Sequence, residues 1–363
     1  MNIDLFDYGF DSKKIAKYPV NNRDEAKLLV LDVKNFKIEH KRFFEITDYI
    51  NKNDIVAVNN SFVKKARIFG KRFSGGRVEV FITEFPVNVT FPLKLNALLK
   101  SHKTIKENEE IDILETGFNS DSISEDKSGI KITALQNLGK GNYQIAIKSR
   151  EDYDYIFDKC AQIPLPPYLK RIPDALDDGY YQTVYADDSC GFSVAAPTAG
   201  LHFTDETINK IKAKGGIFTA VSLNIGLGTF LPVRTEDITK HEIHKETYSV
   251  SKETADIINK GIKTKNNIMI IGTSTVRCLE SSAADGSGIT GRNGAETSLY
   301  IYPGYKFKVT KSLVTNFHQP KSSLFIMICA LIGIERTKAV YEEAMRNDYS
   351  LFSYGDAMYL HNI

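Results

Sequence analysis

Asn267-Ile268-Met269-Ile270-Ile271-Gly272-Thr273-Ser274-Thr275-Val276-Arg277 is the stretch on which the fold turns. An unbroken apolar run of this length suits a strand buried on both faces, and a glycine turn followed by Thr275 and Val276 starts a helix over residues 275–284. A buried strand feeding a helix is half of a parallel crossover unit. The same texture recurs on both sides. Upstream, KLLVLD (27–32) and DIVAVN (54–59) read as central strands. Thr204 can cap a helix to residue 214, with Asp205 and Glu206 in its first turn and Gly215-Gly216 closing it. A strand is expected over 217–225, and Ser251 caps a helix to about residue 263. The 11-residue apolar run Leu324 to Ile334 reads as a late helix buried on most sides, too short for a span that needs roughly 20 residues.

Between residues 63 and 149 the texture changes. Short alternating runs at 77–82, 110–114, 130–133 and 142–147, separated by glycines and polar turns, predict a small β-barrel inserted into the α/β chain. The proline-rich connector Ile163-Pro164-Leu165-Pro166-Pro167 marks the return. The expected architecture is therefore α/β. A main domain at 1–62 and 150–363 carries a largely parallel or mixed sheet flanked by helices, and residues 63–149 form the inserted barrel.

Composition narrows the class. With 363 residues, 42% of them hydrophobic, and 47 basic against 45 acidic side chains, the chain buries a sizeable core and is neither disordered nor a small stapled module. Cysteines at 160, 190, 278 and 329 form no Cys-x-x-Cys pair, which fits a reducing compartment. The first residues lack a secretory core segment, so a cytoplasmic protein without membrane spans is expected. Charge is unevenly spread: Lys64, Lys65, Arg67, Lys71, Arg72 and Arg77 occur without an acid and interleave with Phe62, Phe69 and Phe73. Cations with aromatics suit phosphates and unstacked bases, and equally suit a solvated strand pair whose rings face a core.

Chemistry-bearing residues gather in glycine- and proline-bounded loops. Thr198, Gly200 and His202 precede a helix start, where free N–H groups favour an anion. His241, His244 and Glu246 lead into a strand on which His244, Glu246 and Tyr248 would share a face; an acid–base cluster fits better than a metal centre, which needs more ligands. Thr273 and Arg277 sit at the 272–277 turn, which lacks the glycine spacing and lysine of a phosphate-binding P-loop. Gly226-x-Gly228, Asn316 with His318, and Tyr354 with Asp356 complete the set.

In order along nearly the whole chain, these segments resemble the S-adenosylmethionine:tRNA ribosyltransferase-isomerase family of queuosine biosynthesis. They include Arg23-Asp24, Ala66-Arg67-Ile68-Phe69-Gly70, Gly75-Gly76-Arg77-Val78-Glu79-Val80, Ile163-Pro164-Leu165-Pro166-Pro167-Tyr168 and Tyr181-Gln182-Thr183-Val184-Tyr185. Ala195-Ala196-Pro197-Thr198-Ala199-Gly200-Leu201-His202-Phe203, Gly226-Leu227-Gly228-Thr229-Phe230, Thr315-Asn316-Phe317-His318 and Phe352-Ser353-Tyr354-Gly355-Asp356-Ala357-Met358 continue the match. The resemblance implies an α/β domain with an inserted barrel. It also implies transfer and isomerisation of the ribosyl part of S-adenosylmethionine onto a 7-aminomethyl-7-deazaguanine in tRNA, giving epoxyqueuosine-tRNA, adenine and methionine.

On that basis His202, His244, Glu246, His318 and Asp356 are expected to share acid–base and orienting work, while Thr198, Gly200, Gly228, Thr273, Arg277, Asn316 and Tyr354 hold substrate. Lys64, Lys65, Arg67, Lys71, Arg72 and Arg77 would face the tRNA, and no metal is expected. Where the family usually has a histidine, this chain has Asn224, which cannot carry a proton at neutral pH. A diverged paralogue with another acceptor and a catalytically silent RNA-binding relative therefore stand beside the main reading. The sequence leaves monomer and homodimer open.

Overall fold

The computed structural model describes residues 1–85, 89–115, 127–226, 232–284 and 288–363. Contacts divide the chain into two compact units, one of Met1–Phe62, Pro166–Lys170 and Tyr180–Ile363, the other of Val63–Leu165 and Arg171–Gly179.

The first unit is built on a nine-stranded mixed sheet. Its strands run, edge to edge, Arg292–Thr297, Glu246–Val250, Ile217–Leu223, Ile55–Asn59, Ile268–Ile271, Ser312–Asn316, Ala357–His361, Lys27–Asp32 and Lys37–Arg42. The four strands from Ile217–Leu223 to Ser312–Asn316 are mutually parallel, while their neighbours Glu246–Val250 and Ala357–His361 run antiparallel to them. Alternate residues of the central strands enter different cores. Leu29, Leu31, Ile55, Ala57, Ile270 and Leu313 pack with Ile258, Val276, Leu279, Phe325 and Val340. Leu28, Val30, Val56, Val58, Met269, Ile271 and Val314 pack with Phe43, Phe203, Ile208 and Ile211 on the other face. Burial on both faces explains the continuous apolar runs.

The expected helices form at Asp205–Ala213, capped by the Thr204 side chain, and Lys252–Thr264, capped by Ser251. Two boundaries differ. The helix after the deciding strand begins earlier and runs Thr273–Ser282, because Gly272 at φ +86° supplies the left-handed turn from which it starts. The late apolar run forms Ser323–Ile332 and stops at Gly333, φ +90°, before a second helix, Ile334–Arg346.

The second unit is a closed six-stranded barrel of Arg67–Arg72, Arg77–Ile82, Leu93–Ser101, Glu109–Leu114, Lys127–Gly139 and Asn142–Ile147, antiparallel throughout. Gly70 is demanded by packing, since a Cβ there would lie 2.8 Å from the Asp112 carbonyl oxygen. This unit is larger than the expected insert. Gln162 exchanges backbone hydrogen bonds with Arg67 and Asp178 pairs with Lys65, so the connector packs with the barrel.

Candidate functional site

Strand direction brings the loops together. Parallel strands ending at Asn59, Leu223, Ile271 and Asn316 point their carboxyl ends to one edge, and antiparallel neighbours begin there, at Glu246 and Ala357. Such an edge is where α/β sheets bind ligands. A cavity lies along it, lined by Thr198, Gly272, Thr273, Ser274, Arg277, Thr315, Asn316, His318, Glu246, Tyr168 and Ser353, with Ala196, Ala199, Leu223, Ile225 and Phe352 as apolar walls. A second, smaller cavity shares Glu246, Arg277 and Leu324 with it and is otherwise lined by Ile243, His244, Leu299, Tyr300, Ile301, Ser323 and Met327.

Arg277 and Glu246 form a buried ion pair between Nη1 and Oε2. The Arg277 Nε donates to the Leu299 carbonyl at 3.1 Å, and the second Glu246 oxygen accepts from the Gly226 amide at 3.0 Å. Arg277 Nη2 is buried without a hydrogen-bond partner among the described residues, as is Asn316 Oδ1.

The orientation of Asn316 follows from a carbonyl. Its side-chain nitrogen lies 3.2 Å from the Phe352 carbonyl oxygen, which only accepts, so the NH₂ group must face it and Oδ1 must point away. The same nitrogen lies 3.2 Å from His202 Nε2, which must therefore be the unprotonated ring nitrogen. Burial pushes the His202 imidazole down to about 4 against the smaller opposing effect of a hydrogen bond to the Arg23 backbone. His202 packs on Phe43, lines a small cleft with Arg23 and Tyr354, and reaches the main cavity only through Asn316.

His318 lines the main cavity directly. Its Nε2 lies 2.8 Å from Thr315 Oγ1, and its backbone is held by the hydroxyls of Tyr8 and Tyr341. Burial pushes its imidazole down to about 3, so the ring is uncharged at neutral pH.

Other expected residues fall elsewhere. His244 precedes the strand, which begins at Glu246; it is exposed at the second cavity and does not share a strand face with Glu246 and Tyr248. Gly200 is not part of the main cavity; a Cβ there would collide with the Tyr185 hydroxyl, so the glycine serves packing. At the helix start after His202, the Thr204 and Thr207 hydroxyls both donate to the Asp24 carboxylate. Asp356 is buried and spends its carboxylate on the Lys27 and Ser350 amides, at 2.6 and 2.7 Å, and burial raises its pKa. Gly228 lies outside the described residues. The Asn224 side chain packs on Gly191 and lines neither cavity, although Leu223 and Ile225 on each side of it line the first.

Sequence reasoning passed over Tyr168, Ser274, Thr315, Tyr300 and Ser353 as wall residues. Tyr168 sits in the proline-rich connector and bonds Ser353, a placement that its neighbourhood of prolines hinted at; Tyr300 carried no signal, being one aromatic among many. Among the described residues no group of three or more His, Cys, Asp or Glu is placed to hold a metal, and no helix is long and apolar enough to cross a membrane.

The six barrel cations are not equivalent. Arg67 pairs with Glu79 at 2.8 Å, Arg72 with Glu109 at 2.6 Å and Lys65 with Asp178 at 2.9 Å, while Lys64 lies over the Phe85 ring. The acids come from neighbouring elements, so the local absence of acid in the sequence does not leave a bare positive stripe. Lys71 and Arg77 face each other across the hairpin, beside a turn whose Phe73 is fully exposed.

A mixed α/β sheet with a polar crevice at its carboxyl edge, in a chain that also carries a closed barrel, places this protein in the open α/β class. The model of the queuosine biosynthesis protein family matches residues 3–360, and the chain belongs to that family. It is 38% identical to the S-adenosylmethionine:tRNA ribosyltransferase-isomerase of Sulfurihydrogenibium sp. over 99% of both chains. It is 40% identical to that of Desulfotalea psychrophila over 97% of this chain and 95% of the relative. Among solved structures, the S-adenosylmethionine tRNA ribosyltransferase of Thermotoga maritima superposes with a TM-score of 0.53 at 29% identity, covering 98% of this chain and 99% of that one.

Proposed function

We propose that this protein transfers and isomerises the ribosyl moiety of S-adenosylmethionine onto the 7-aminomethyl-7-deazaguanine base of tRNA, forming epoxyqueuosine-tRNA with release of adenine and methionine. Full-length family membership supports the reading. The observation in this chain that carries it is the convergence of Thr198, Thr273, Arg277, Asn316 and His318 on one cavity at the carboxyl edge of the sheet.

In this reading S-adenosylmethionine is a ribosyl donor and no metal is invoked. A proton must leave the carbon beside the sulfonium, adenine must be hydrogen-bonded as it departs, and the amine must be neutral to attack. His318, uncharged and in the cavity wall, is the proton acceptor among the candidates. His202 acts through Asn316, which offers Oδ1 to a ligand hydroxyl or amine. Glu246 holds Arg277 in place. The tRNA meets the barrel hairpin of Lys71, Phe73 and Arg77, where cations and an exposed ring suit an unpaired loop. The protein acts in the cytoplasm.

Incubation with S-adenosylmethionine and tRNA bearing the aminomethyl base, followed by mass analysis of digested nucleosides, tests the reading. The expected product is epoxyqueuosine. Adenine release with unmodified tRNA, or tRNA binding without chemistry, would overturn it.

A further inference from the structure

Asn59 ends the strand Ile55–Asn59 with no exposed surface, and its side-chain hydrogen bonds fix which way its amide faces. Oδ1 accepts from the backbone amides of Ser61 at 3.1 Å and Leu223 at 3.0 Å, so the other end must be the NH₂ group. That NH₂ donates to the Leu223 carbonyl at 3.0 Å and to Ser274 Oγ at 3.2 Å. Ser274 is therefore the acceptor in this contact, and its own hydroxyl hydrogen is left to point elsewhere. The adjacent Thr275 spends its hydroxyl on the Ile271 carbonyl at 2.5 Å, one helical turn back; Ser274 makes no such bond among the described residues. Unlike Asn59, Ser274 is half-buried and lines the main cavity, so its hydrogen has open space before it.

A hydroxyl with one lone pair taken by the protein and its hydrogen uncommitted suits a ligand atom that accepts. We infer that Ser274 donates a hydrogen bond to a lone-pair acceptor of S-adenosylmethionine, and that Asn59 is the positioning residue that holds it in the donor sense. This inference rests on the ribosyl-transfer reading above. Asn59 closes one strand, Leu223 closes the next, and Ser274 lies in the first turn of the helix Thr273–Ser282. The Asn59 amide ties all three, so the hydroxyl is placed by strand ends and a helix start, which hold a group more tightly than a loop does. Asn59 and Leu223 have no exposed surface, which puts Ser274 at the inner side of the cavity. The donor molecule, not tethered to a polynucleotide, is the substrate assigned to it.

Calorimetric titration of the full-length protein with S-adenosylmethionine, together with KM for tRNA bearing the aminomethyl base, tests this. Ser274→Ala removes the hydroxyl and leaves Asn59 its bonds to Leu223 and Ser61. It should weaken S-adenosylmethionine about 5- to 10-fold with melting temperature and KM for tRNA unchanged. Ser274→Thr, which keeps the hydroxyl, should bind as the wild type does. Asn59→Asp presents a carboxylate that accepts from Ser274 and reclaims its hydrogen; where its melting temperature is retained it should lose the same factor, and adding Ser274→Ala should cost nothing further. Unchanged S-adenosylmethionine binding in Ser274→Ala, or a loss confined to tRNA, would overturn the inference and leave the ribosyl-transfer reading in place, whether or not Asn59→Asp folds. Absence of S-adenosylmethionine binding to the wild type would overturn both.

Discussion

His318 and His202 have the same chemistry, are both buried and both uncharged at neutral pH, yet differ in what they touch. His318 faces the cavity; His202 stands one side chain behind it and determines which way the Asn316 amide points. The two therefore separate on mutation. His318→Asn is expected to lower turnover by about 10²–10⁴-fold, the usual range for loss of a general base. His202→Asn should instead raise KM for S-adenosylmethionine while leaving the pH profile of kcat in place, because no proton moves through it. A pH–rate comparison of the two variants checks this; a titration lost from the profile of His202→Asn would contradict the orienting role. The motifs that contain these residues are readable in sequence. The His202–Asn316 contact is not, since 114 residues separate the pair and only the meeting of two strand-end loops joins them.

At the scale of elements, the sheet edge makes the site and the barrel hairpin makes the candidate RNA contact. The strands Arg67–Arg72 and Arg77–Ile82 place Lys71 opposite Arg77, two cations that suit a polyanion. Removing both with Lys71→Ala and Arg77→Ala should weaken tRNA binding and reduce its salt slope by about two. An unchanged affinity and salt slope for the double variant in a salt titration would contradict a tRNA contact at this hairpin. Composition identified a basic, aromatic segment. It could not sort the cations, because Glu109 and Asp178 arrive from distant elements.

For the whole molecule, burying two uncharged imidazoles couples stability to acid. The unfolded histidines take up protons near pH 6.5, whereas His202 and His318 resist protonation until about 4 and about 3. The unfolded state then binds more protons, so stability is full above pH 6.5 and falls as pH drops toward 4, by about 1.4 kcal/mol per pH unit for each histidine. Melting temperatures between pH 8 and pH 4.5 check this, and His318→Gln should flatten the decline; an unchanged slope would contradict it. By itself the sequence determined the strands, helices and their caps, the α/β class and the barrel texture, and the loops that carry chemistry, because apolar period, glycine and hydroxyl caps act between residues close along the chain. Tertiary structure alone decided that Asp356 holds the Lys27 amide, that Asn224 turns away from the crevice, and that Tyr300 joins Arg277 across a second cavity. Those outcomes depend on strand direction and on packing between segments tens to hundreds of residues apart, which no local pattern encodes.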